Sequence, residues 1–313
     1  MRFHHLDLNL LVALDVLLEE QNITRAAERL HMTQSATSGV LARLRAYFED
    51  DLLVQVGRKM MPTALALELE QPVREVLMTI QSSITAKPVL DPFTSKRHFK
   101  IGASDYVVSV LLSDAIRRIN ARAPQVTFEM VAITEQTFQA LNRGQVDLLV
   151  IPDHYLPQDQ PSQELFEEDH VCVVWQDNTL VGDQISLEQY LNMGHVAVSF
   201  GRTRQLAFEE WFMSQYGCQR RLEVITHDFN TLAQLVVGTQ RIATMHTRLA
   251  RLYIERWPLR MLPTPVRVPT IQEHLVWHRS MDRDPMLRWL RAQILDIAQG
   301  LSTKLERPVE QTI

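Results

Sequence analysis

The sequence predicts an α/β protein with a small helical domain at its N-terminus, and three observations support this prediction. The chain has 313 residues, more than one average domain contains. Residues 1–85 show the periodicity of amphipathic helices and a hairpin, whereas the rest alternates between strand and helix patterns. A proline-bearing segment, residues 87–92, predicts a linker between these two parts.

Two short helices are predicted at the start of the chain. The first runs from Leu6 to about Gln21, where apolar residues recur at helical spacing. The second runs from Thr24, a suitable N-cap, to Leu30. Ala26 and Ala27 face inward, so the two helices can pack closely.

A third helix is predicted after a break at residues 31–33, with Thr33 as its N-cap. Ala36, Val40 and Leu44 mark its apolar face at i, i+4 and i+8. The opposite face carries short or polar side chains near its start and a cation further along: Gln34, Ser35, Ser38, Ala42 and Arg45. This layout is typical of a helix that reads a groove of DNA.

A hairpin is predicted behind the third helix. Leu52–Val56 has the pattern of a strand, residues 57–59 form a tight basic turn, and a short return strand ends at Pro62. A hairpin in this position is a wing, with Arg58 and Lys59 at its tip.

A long helix is predicted from Thr63 to about Thr85, although Pro72 falls inside it and predicts a kink or an early end. Its apolar residues follow one side: Leu65, Leu69, Val73, Val76, Leu77, Ile80 and Ile84. A helix between two domains has no local cover for such a stripe, so we expect a second copy of the chain to cover it.

The remainder of the chain predicts an α/β sheet architecture. The expected strands, with helices between most of them, are Phe99–Ala103, Thr127–Ala132, Asp147–Ile151, Val171–Trp175, Val196–Ser199, Glu223–Thr226, Ile242–Met245 and His274–Trp277. A last amphipathic helix is expected over Asp284–Ala298.

Composition argues against several classes of protein. No apolar run reaches the length of a membrane span, and acidic residues interrupt the apolar stretch at the N-terminus, unlike a signal peptide. We therefore expect a cytoplasmic protein. Cys172 and Cys218 form neither a zinc spacing nor a disulfide framework and are expected to be buried.

Charge does not support nucleic-acid binding. The net charge is −5, and residues 1–85 contain eight Lys or Arg against eleven Asp or Glu, a balance of 8 − 11 = −3. Any DNA-binding surface must therefore be local.

The order of these motifs resembles the LysR family of bacterial regulators. Thr24–Leu30 followed by Met32–Ser38 is similar to the family's helix-turn-helix signature of two alanines, a leucine and a Thr-Gln-x-Ala-x-Ser start. Ser35 stands where proline is usual, and Gly39 stands where a basic or other side chain is common, at a cost of roughly 0.5–1 kcal/mol relative to alanine. The resemblance covers essentially the whole chain and also rests on Leu52–Pro62, residues 147–150, Trp277–His278 and residues 283–285.

Residues 6–15 and 245–250 are similar to the branch that contains nodulation regulators and regulators responsive to salicylate or nitroaromatic compounds. The resemblance implies a winged helix-turn-helix at 6–63 (helix-turn-helix about 23–42), a linker helix at 64–90 and an effector domain at 91–303. The effector domain would have two Rossmann-like lobes of the periplasmic-binding-protein type, lobe I at about 91–163 and 266–303 and lobe II at about 164–265. The implied partners are promoter DNA with dyad symmetry, an aromatic or phenolic inducer, further copies of the chain in a dimer of dimers, and RNA polymerase. No cofactor, metal or membrane contact is implied.

The expected DNA contacts combine the third helix and the wing: Thr33, Gln34, Ser35, Thr37, Ser38, Arg43, Arg45, Arg58 and Lys59. Gln34 can pair with adenine through two hydrogen bonds, and the cations can neutralise phosphates. Taken singly, these residues are also typical of solvated surface, and only their order along the chain favours DNA binding.

The expected effector site lies where strand ends meet helix starts, because free N–H groups there attract anions. Four segments provide its residues: Ser104, Asp105 and Tyr106; Phe200, Gly201, Arg202 and Thr203; Asp228 and Phe229; His246 and Thr247. Helix capping by Asp105 and Asn230 and core packing of Tyr106 and Phe229 remain open as alternatives.

Two other functions compete with a regulator. The sequence has no glycine-rich dinucleotide loop, nucleophile elbow, Walker sequence or HExxH, so an enzyme finds no support. His274 and His278 are four residues apart but fall on a strand end and its turn, which disfavours a metal site. A cytoplasmic small-molecule binding protein with an N-terminal interaction domain is the remaining alternative.

Overall fold

The computed structural model describes residues 7–57, 59–83, 91–199, 215–217 and 219–305. Contacts divide the described chain into two compact units, one containing the residues up to 83 with 280–284, the other the residues from 91 to 279 and from 285 onward. Predictions that fall outside the described residues concern Arg58, Ile84, the linker before Asp91, Phe200, Gly201, Arg202, Thr203 and Cys218. No described helix combines the length and the apolar character that a membrane crossing requires.

The first unit has the predicted order of three helices, a hairpin and a long helix. Its elements are α1 (Leu8–Glu20), α2 (Ile23–Arg29), α3 (Gln34–Phe48), β1 (Leu53–Val56), β2 (Lys59–Pro62) and α4 (Ala64–Ser83). The N-cap of α2 is Asn22 and not the predicted Thr24. The Asn22 side chain accepts hydrogen bonds from the N–H groups of Thr24 and Arg25 at 2.9 and 3.1 Å. It thereby satisfies two N–H groups that have no partner within the helix.

The buried face of α3 differs from the predicted one. Thr37, Leu41 and Leu44 are buried, whereas Ala36 is exposed and Val40 is half-buried. Thr37 can be fully buried because its hydroxyl donates to the carbonyl oxygen of Thr33 at 3.1 Å. Leu44 and Val40 thus lie at the core as predicted, and of the three predicted residues only Ala36 was assigned wrongly, because Thr37 takes the inward position beside it.

The α4 stripe is covered in part by the unit itself, which corrects the expectation that nothing local could cover it. Ala66 and Val73 are buried in the same core as α1, and Leu69 and Leu77 pack against that core. Arg74 pairs with Asp15 of α1 at 3.0 Å and with Glu70 at 3.1 Å. Leu67 and Val76 remain exposed in the chain described. The helix also continues through Pro72 without ending.

The second unit contains two mixed five-stranded sheets. The lobe I sheet has the order β4-β3-β5-β12-β6 and the lobe II sheet the order β11-β7-β10-β8-β9. The strands are β3 (His98–Gly102), β4 (Thr127–Val131), β5 (Leu148–Pro152), β6 (Ser162–Glu168), β7 (His170–Trp175), β8 (Gly194–Val198), β9 (Arg221–Thr226), β10 (Ile242–His246), β11 (Leu259–Leu262) and β12 (Ile271–Val276). In lobe I, β3 pairs in parallel with β4 and β5, and β12 is antiparallel to both of its neighbours.

Helices flank these sheets. They are α5 (Asp105–Val107), which continues through a π-helical turn (Val108–Leu112) into α6 (Ser113–Arg122), then α7 (Glu135–Asn142), α8 (Leu187–Asn192), α9 (Leu232–Val236), α10 (Thr247–Ile254) and α11 (Pro285–Leu305). All eight predicted strands are present, with bounds shifted by one to three residues, while β6 and β11 were not predicted. Because β6 pairs with β12, lobe I continues to Glu168 and not to about residue 163.

The chain passes between the two lobes at two neighbouring places. A single residue, Asp169, separates β6 from β7, whereas residues 263–270 separate β11 from β12. The two connections lie side by side, because Glu168 pairs with Ile271 in lobe I and Cys172 pairs with Leu262 in lobe II. The residues where the lobes meet therefore surround these connections.

Candidate functional sites

The start of α3 is fixed by a local polar motif. Thr33 caps the helix by accepting the N–H of Ala36 at 3.2 Å, and its hydroxyl lies 3.1 Å from that of Ser35. His31, at φ 54°, lies in the turn before α3, and the N–H of Met32 donates to the carbonyl oxygen of Ala27 at 2.9 Å. The angle between α2 and α3 is therefore set by backbone bonds, which leaves the first turn of α3 free to present its side chains.

The exposed face of α3 contains four of the nine predicted DNA contacts, Gln34, Ser35, Ser38 and Arg43, with Gly39 and Ala42 between them. Arg43 lies 3.6 Å from Asp7, and both side chains are well exposed, so this ion pair is weak. Thr37 is not on this face. Its burial removes it from the side chains that can reach DNA, which corrects the prediction.

Arg45 has a different role from the predicted phosphate contact. Its Nε donates to the carbonyl oxygen of Asp51 at 2.8 Å, and its terminal nitrogen donates to that of Leu53 at 2.6 Å. The half-buried guanidinium thus ties the end of α3 to the start of the wing.

The wing is a tight hairpin. Val56 pairs with Lys59, so two residues make the turn, and Gly57 adopts φ +63°, a conformation that disfavours side chains with a Cβ. Lys59 is exposed at the tip. Asp50 braces the base of the hairpin, because its carboxylate accepts the hydroxyl of Thr63 at 2.6 Å.

An aromatic cluster joins the two lobes of the second unit. The Tyr106 ring of lobe I stacks on the His246 ring of lobe II, with centroids 3.8 Å apart and planes 9° apart. Phe229 meets the His246 ring edge-on at 4.6 Å. Tyr106 and His246 are buried, so the alternative of core packing applies to Tyr106. Three predicted effector residues from separate segments thus come together.

A carboxylate bridges the lobes beside this cluster. The two oxygens of Asp105, in lobe I, accept the N–H groups of Phe229 and Asn230, in lobe II, at 3.1 and 2.7 Å. Asn230 in turn accepts the hydroxyl of Ser109 at 3.1 Å. Ser104 caps α5 by accepting the N–H of Val107. Ser104, and not Asp105, is therefore the N-cap of α5, and Thr231, not Asn230, is the N-cap of α9.

Asp228 braces its own loop. Burial opposes its ionisation, but hydrogen bonds from the hydroxyl and N–H of Thr231 and the hydroxyl of Thr226 outweigh burial and lower its pKa. The Thr231 N–H lies 2.7 Å from the carboxylate. Asp228 thus remains an anion next to the Asp105 bridge.

Two buried polar atoms near the cluster have no hydrogen-bond partner among the residues described, Nδ1 of His246 and the hydroxyl of Thr247. Burial, with a smaller effect of His170, holds the pKa of His246 well below its usual range, so its ring is neutral. Burial also lowers the pKa of His170 to about 4. Buried polar atoms without a hydrogen-bond partner are rare in folded proteins, and a bound hydroxyl group would provide a partner for the His246 Nδ1 or the Thr247 hydroxyl.

A buried acid–base cluster, which sequence reasoning missed, surrounds the short connection between the lobes. Glu168 accepts hydrogen bonds from the Tyr106 hydroxyl and from Arg248, whose guanidinium lies 3.1 Å away. Arg248 also donates to the carbonyl oxygens of Glu167 and, at 3.2 Å, of Leu301. Burial, and the nearby Glu168 and Asp153 carboxylates, raise the pKa of Glu273 to about 8. No spacing in the sequence marks these residues, because they come from four separate elements.

Comparisons with known proteins agree with this architecture. Residues 8–67 match the family model described as the bacterial regulatory helix-turn-helix protein of the lysR family, and residues 94–299 match the LysR substrate binding domain. The chain is 39% identical over 308 residues to Nodulation protein D 1 of Bradyrhizobium diazoefficiens, with 98% of each chain covered. A probable transcriptional regulator from Pseudomonas aeruginosa has a TM-score of 0.63 at 27% identity and covers 94% of this chain and 98% of its own. A full-length OxyR variant from the same organism has a TM-score of 0.70 at 18% identity, covering 93% and 95%.

Proposed function

We propose that this chain, which belongs to the LysR family of transcriptional regulators, reads promoter DNA of dyad symmetry with α3 and the hairpin and responds to an aromatic or phenolic inducer held between its two lobes. The observation that carries the DNA-binding part is the exposed polar face at the start of α3, followed by a basic hairpin. Inducer binding would shift a population of conformations and would not involve turnover.

The chemistry of the exposed face fits direct reading of bases. Gln34 carries a donor and an acceptor on one amide, the pair that adenine matches in the major groove. Ser35 and Ser38 are short enough to reach base edges or phosphates. Lys59 at the wing tip, together with Arg58 by its place in the sequence, would neutralise phosphates or enter the minor groove.

Dyad symmetry of the site requires at least two copies of the chain, and a dimer of dimers is the assembly we propose. Leu67 and Val76 of α4 remain exposed in the chain described, so α4 still offers apolar surface to a second copy. Contact with RNA polymerase would occur from the DNA-bound assembly, in the cytoplasm. The proposal includes no catalytic step.

The aromatic character of the inducer rests on the cluster of Tyr106, His246 and Phe229. Aromatic rings prefer offset-stacked or edge-on neighbours, and Phe229 meets the His246 ring edge-on at 4.6 Å. The neutral His246 Nδ1 and the Thr247 hydroxyl could each bond a ligand hydroxyl.

The DNA-binding part is tested by fluorescence anisotropy on the DNA that flanks the protein's own gene, with random DNA of equal length as competitor. Gln34→Ala should weaken specific binding by about 5- to 150-fold, because a good bidentate base contact is worth about 1–3 kcal/mol. Gln139→Ala, the same change at an exposed position of α7, serves as the control and should leave affinity unchanged. Specific affinity should also fall steeply with salt. Equal affinity of the wild type for flanking and random DNA would refute the proposal.

A further inference from the structure

The carboxylate of Asp105 occupies a position built to hold an anion. Each of its two oxygens accepts one backbone N–H from the loop that precedes α9, at 3.1 Å from Phe229 and 2.7 Å from Asn230. A bound carboxylate would use the same two N–H groups in the same way. In this structure the protein's own side chain, coming from the opposite lobe, already makes these bonds.

Two carboxylates act on this position, and the cation that opposes them at Tyr253 is the exposed Arg256. Asp228 lies in the same loop and stays ionised through its bonds to Thr231. Tyr253 lies close to both carboxylates, and its pKa is raised by burial and by the charges of Asp105 and Asp228. Arg248 is a buried cation of the lobe junction, but it is already paired with Glu168. An added anion would therefore meet repulsion here from two carboxylates.

Neutral groups at the same junction offer hydrogen bonds to an uncharged ligand. His246 is buried and neutral, and its Nδ1 has no partner among the described residues. The Thr247 hydroxyl is in the same situation. A phenolic hydroxyl can donate to one of these atoms or accept from it without bringing a charge into a buried site.

We propose that Asp105 is an internal carboxylate that latches lobe I to lobe II and excludes acidic ligands, so that the site takes uncharged hydroxylated aromatic molecules and rejects aromatic carboxylates. The inference rests on the proposed function, because it names the ligand class of the same site. Removing the Asp105 carboxylate should leave its two N–H groups open to an external anion.

Rescue by formate tests the latch without knowledge of the natural inducer. Asp105→Ala in the full chain should lower the melting temperature of the second unit by about 2–4 °C, and sodium formate should restore it in a saturable manner relative to sodium chloride of equal ionic strength. Asp105→Asn fills the same space with an uncharged group and should show no rescue. Asp114→Ala removes a half-buried carboxylate whose partners, Arg117 and Arg118, lie on its own helix, and it should respond to formate as the wild type does.

Ligand selection is tested with salicylate and its uncharged amide, salicylamide, by calorimetry on the same variants. The ratio of salicylate affinity to salicylamide affinity should rise at least about tenfold from wild type to Asp105→Ala, since two carboxylates no longer compete for one position. An unchanged ratio, binding of neither compound to either protein, or failure of formate to restore Asp105→Ala would overturn the inference.

These outcomes are separable from failure of the proposed function. DNA affinity is measured on each variant in the same buffers. Wild-type and variant proteins that bind flanking DNA but show neither rescue nor altered ligand ratio would refute only the role of Asp105. A wild type without specific DNA affinity would refute the proposed regulator whatever formate does.

Discussion

The two units place their functional side chains in opposite ways. On α3, Gln34 and Ser38 stand exposed above a core that is complete without them. In the second unit, the buried rings of Tyr106 and His246 stack on each other, and the buried Arg248 donates to Glu168, which also accepts the Tyr106 hydroxyl. The proposed reading surface can therefore be altered without loss of the fold, whereas a residue of the proposed ligand site also stabilises the domain. In the first unit, a substitution should change either DNA affinity or the free energy of unfolding. In the second unit, a substitution near the proposed ligand site should change both ligand affinity and the free energy of unfolding.

The largest expected effect is that of Arg248→Ala. Loss of this guanidinium leaves Glu168 buried without its cation, and breaking such a pair costs about 3–5 kcal/mol. Urea unfolding followed by tryptophan fluorescence isolates the second unit, because all five tryptophans follow residue 91. Arg251→Ala on the same helix is the control and should cost far less. Equal losses for both variants would contradict the linkage of site and stability in this unit.

Glu273 should give the second unit a stability that depends on pH. Its pKa is near 4.5 when the chain is unfolded and about 8 when it is folded, so the folded state keeps the proton. The contribution of Glu273 to the free energy of unfolding is therefore largest at low pH and falls as pH rises from about 5 to 8. Above pH 8 this contribution no longer changes. Glu273→Gln should abolish this loss and exceed the wild type at pH 9 by a few kcal/mol, because a pKa difference of one is worth about 1.4 kcal/mol.

The matching control for Glu273 is Glu164→Gln, which changes an exposed carboxyl on the neighbouring strand β6. It should leave the pH profile unchanged. Unfolding by urea between pH 5 and 9 gives the comparison, and parallel profiles for wild type and Glu273→Gln would show that the buried carboxyl does not retain its proton.

In the first unit, adjacent residues on α3 should give opposite results. Thr37→Val removes a buried hydroxyl that donates to Thr33, so stability should fall by about 1 kcal/mol while DNA affinity stays within twofold. Ser38→Ala should reduce DNA affinity several-fold and change stability by less than about 0.5 kcal/mol. Anisotropy and urea unfolding on both variants test this, and a loss of affinity confined to Thr37→Val would mean that the reading face has been assigned wrongly.

The smallest expected effects are changes in the stability of the first unit on replacing two glycines, and the two changes should have opposite signs. A Cβ added at Gly39 meets no described atom within 4 Å, so Gly39→Ala should stabilise the first unit by roughly 0.5–1 kcal/mol through helix propensity. Gly57→Ala should destabilise it by about 1 kcal/mol, because φ at this position is +63°. Circular dichroism during urea unfolding, with the transition of the second unit taken from tryptophan fluorescence, distinguishes the two. A lower DNA affinity of Gly39→Ala would show that the missing side chain leaves room for DNA.

Local patterns made the first unit predictable. Thr33 caps α3 as expected, and the hairpin follows where the sequence places a strand, a glycine turn and a proline. The errors arose where tertiary context decides. Thr37 is inward because a backbone carbonyl satisfies its hydroxyl, and the α4 stripe is partly covered because Val73 packs in the same core as α1.

The second unit was predictable as a class of fold but not as a site. Strands β6 and β11 were missed, since β6 is rich in Glu and β11 has only four residues. The Glu168–Arg248–Glu273 cluster could not be predicted, because sequence separation hides contacts between β6, α10 and β12. Asp105 was named from the sequence as a candidate effector residue, but its partners in the other lobe follow only from the folded chain.

The short connection between the lobes has a mechanical consequence. Each residue has only two soft backbone torsions, φ and ψ. Because Asp169 alone separates β6 from β7, a rotation of one lobe against the other would mainly change φ and ψ of Asp169. The longer connection, residues 263–270, can adjust to such a rotation. Both backbone groups of Asp169 are engaged, its N–H with the Glu168 carboxylate at 3.2 Å and its carbonyl oxygen with the Thr247 N–H at 2.9 Å. The carboxylate of Glu168 therefore restrains the backbone of Asp169 and also binds Tyr106 and Arg248. A change at Glu168 would make rotation of the lobes about Asp169 easier.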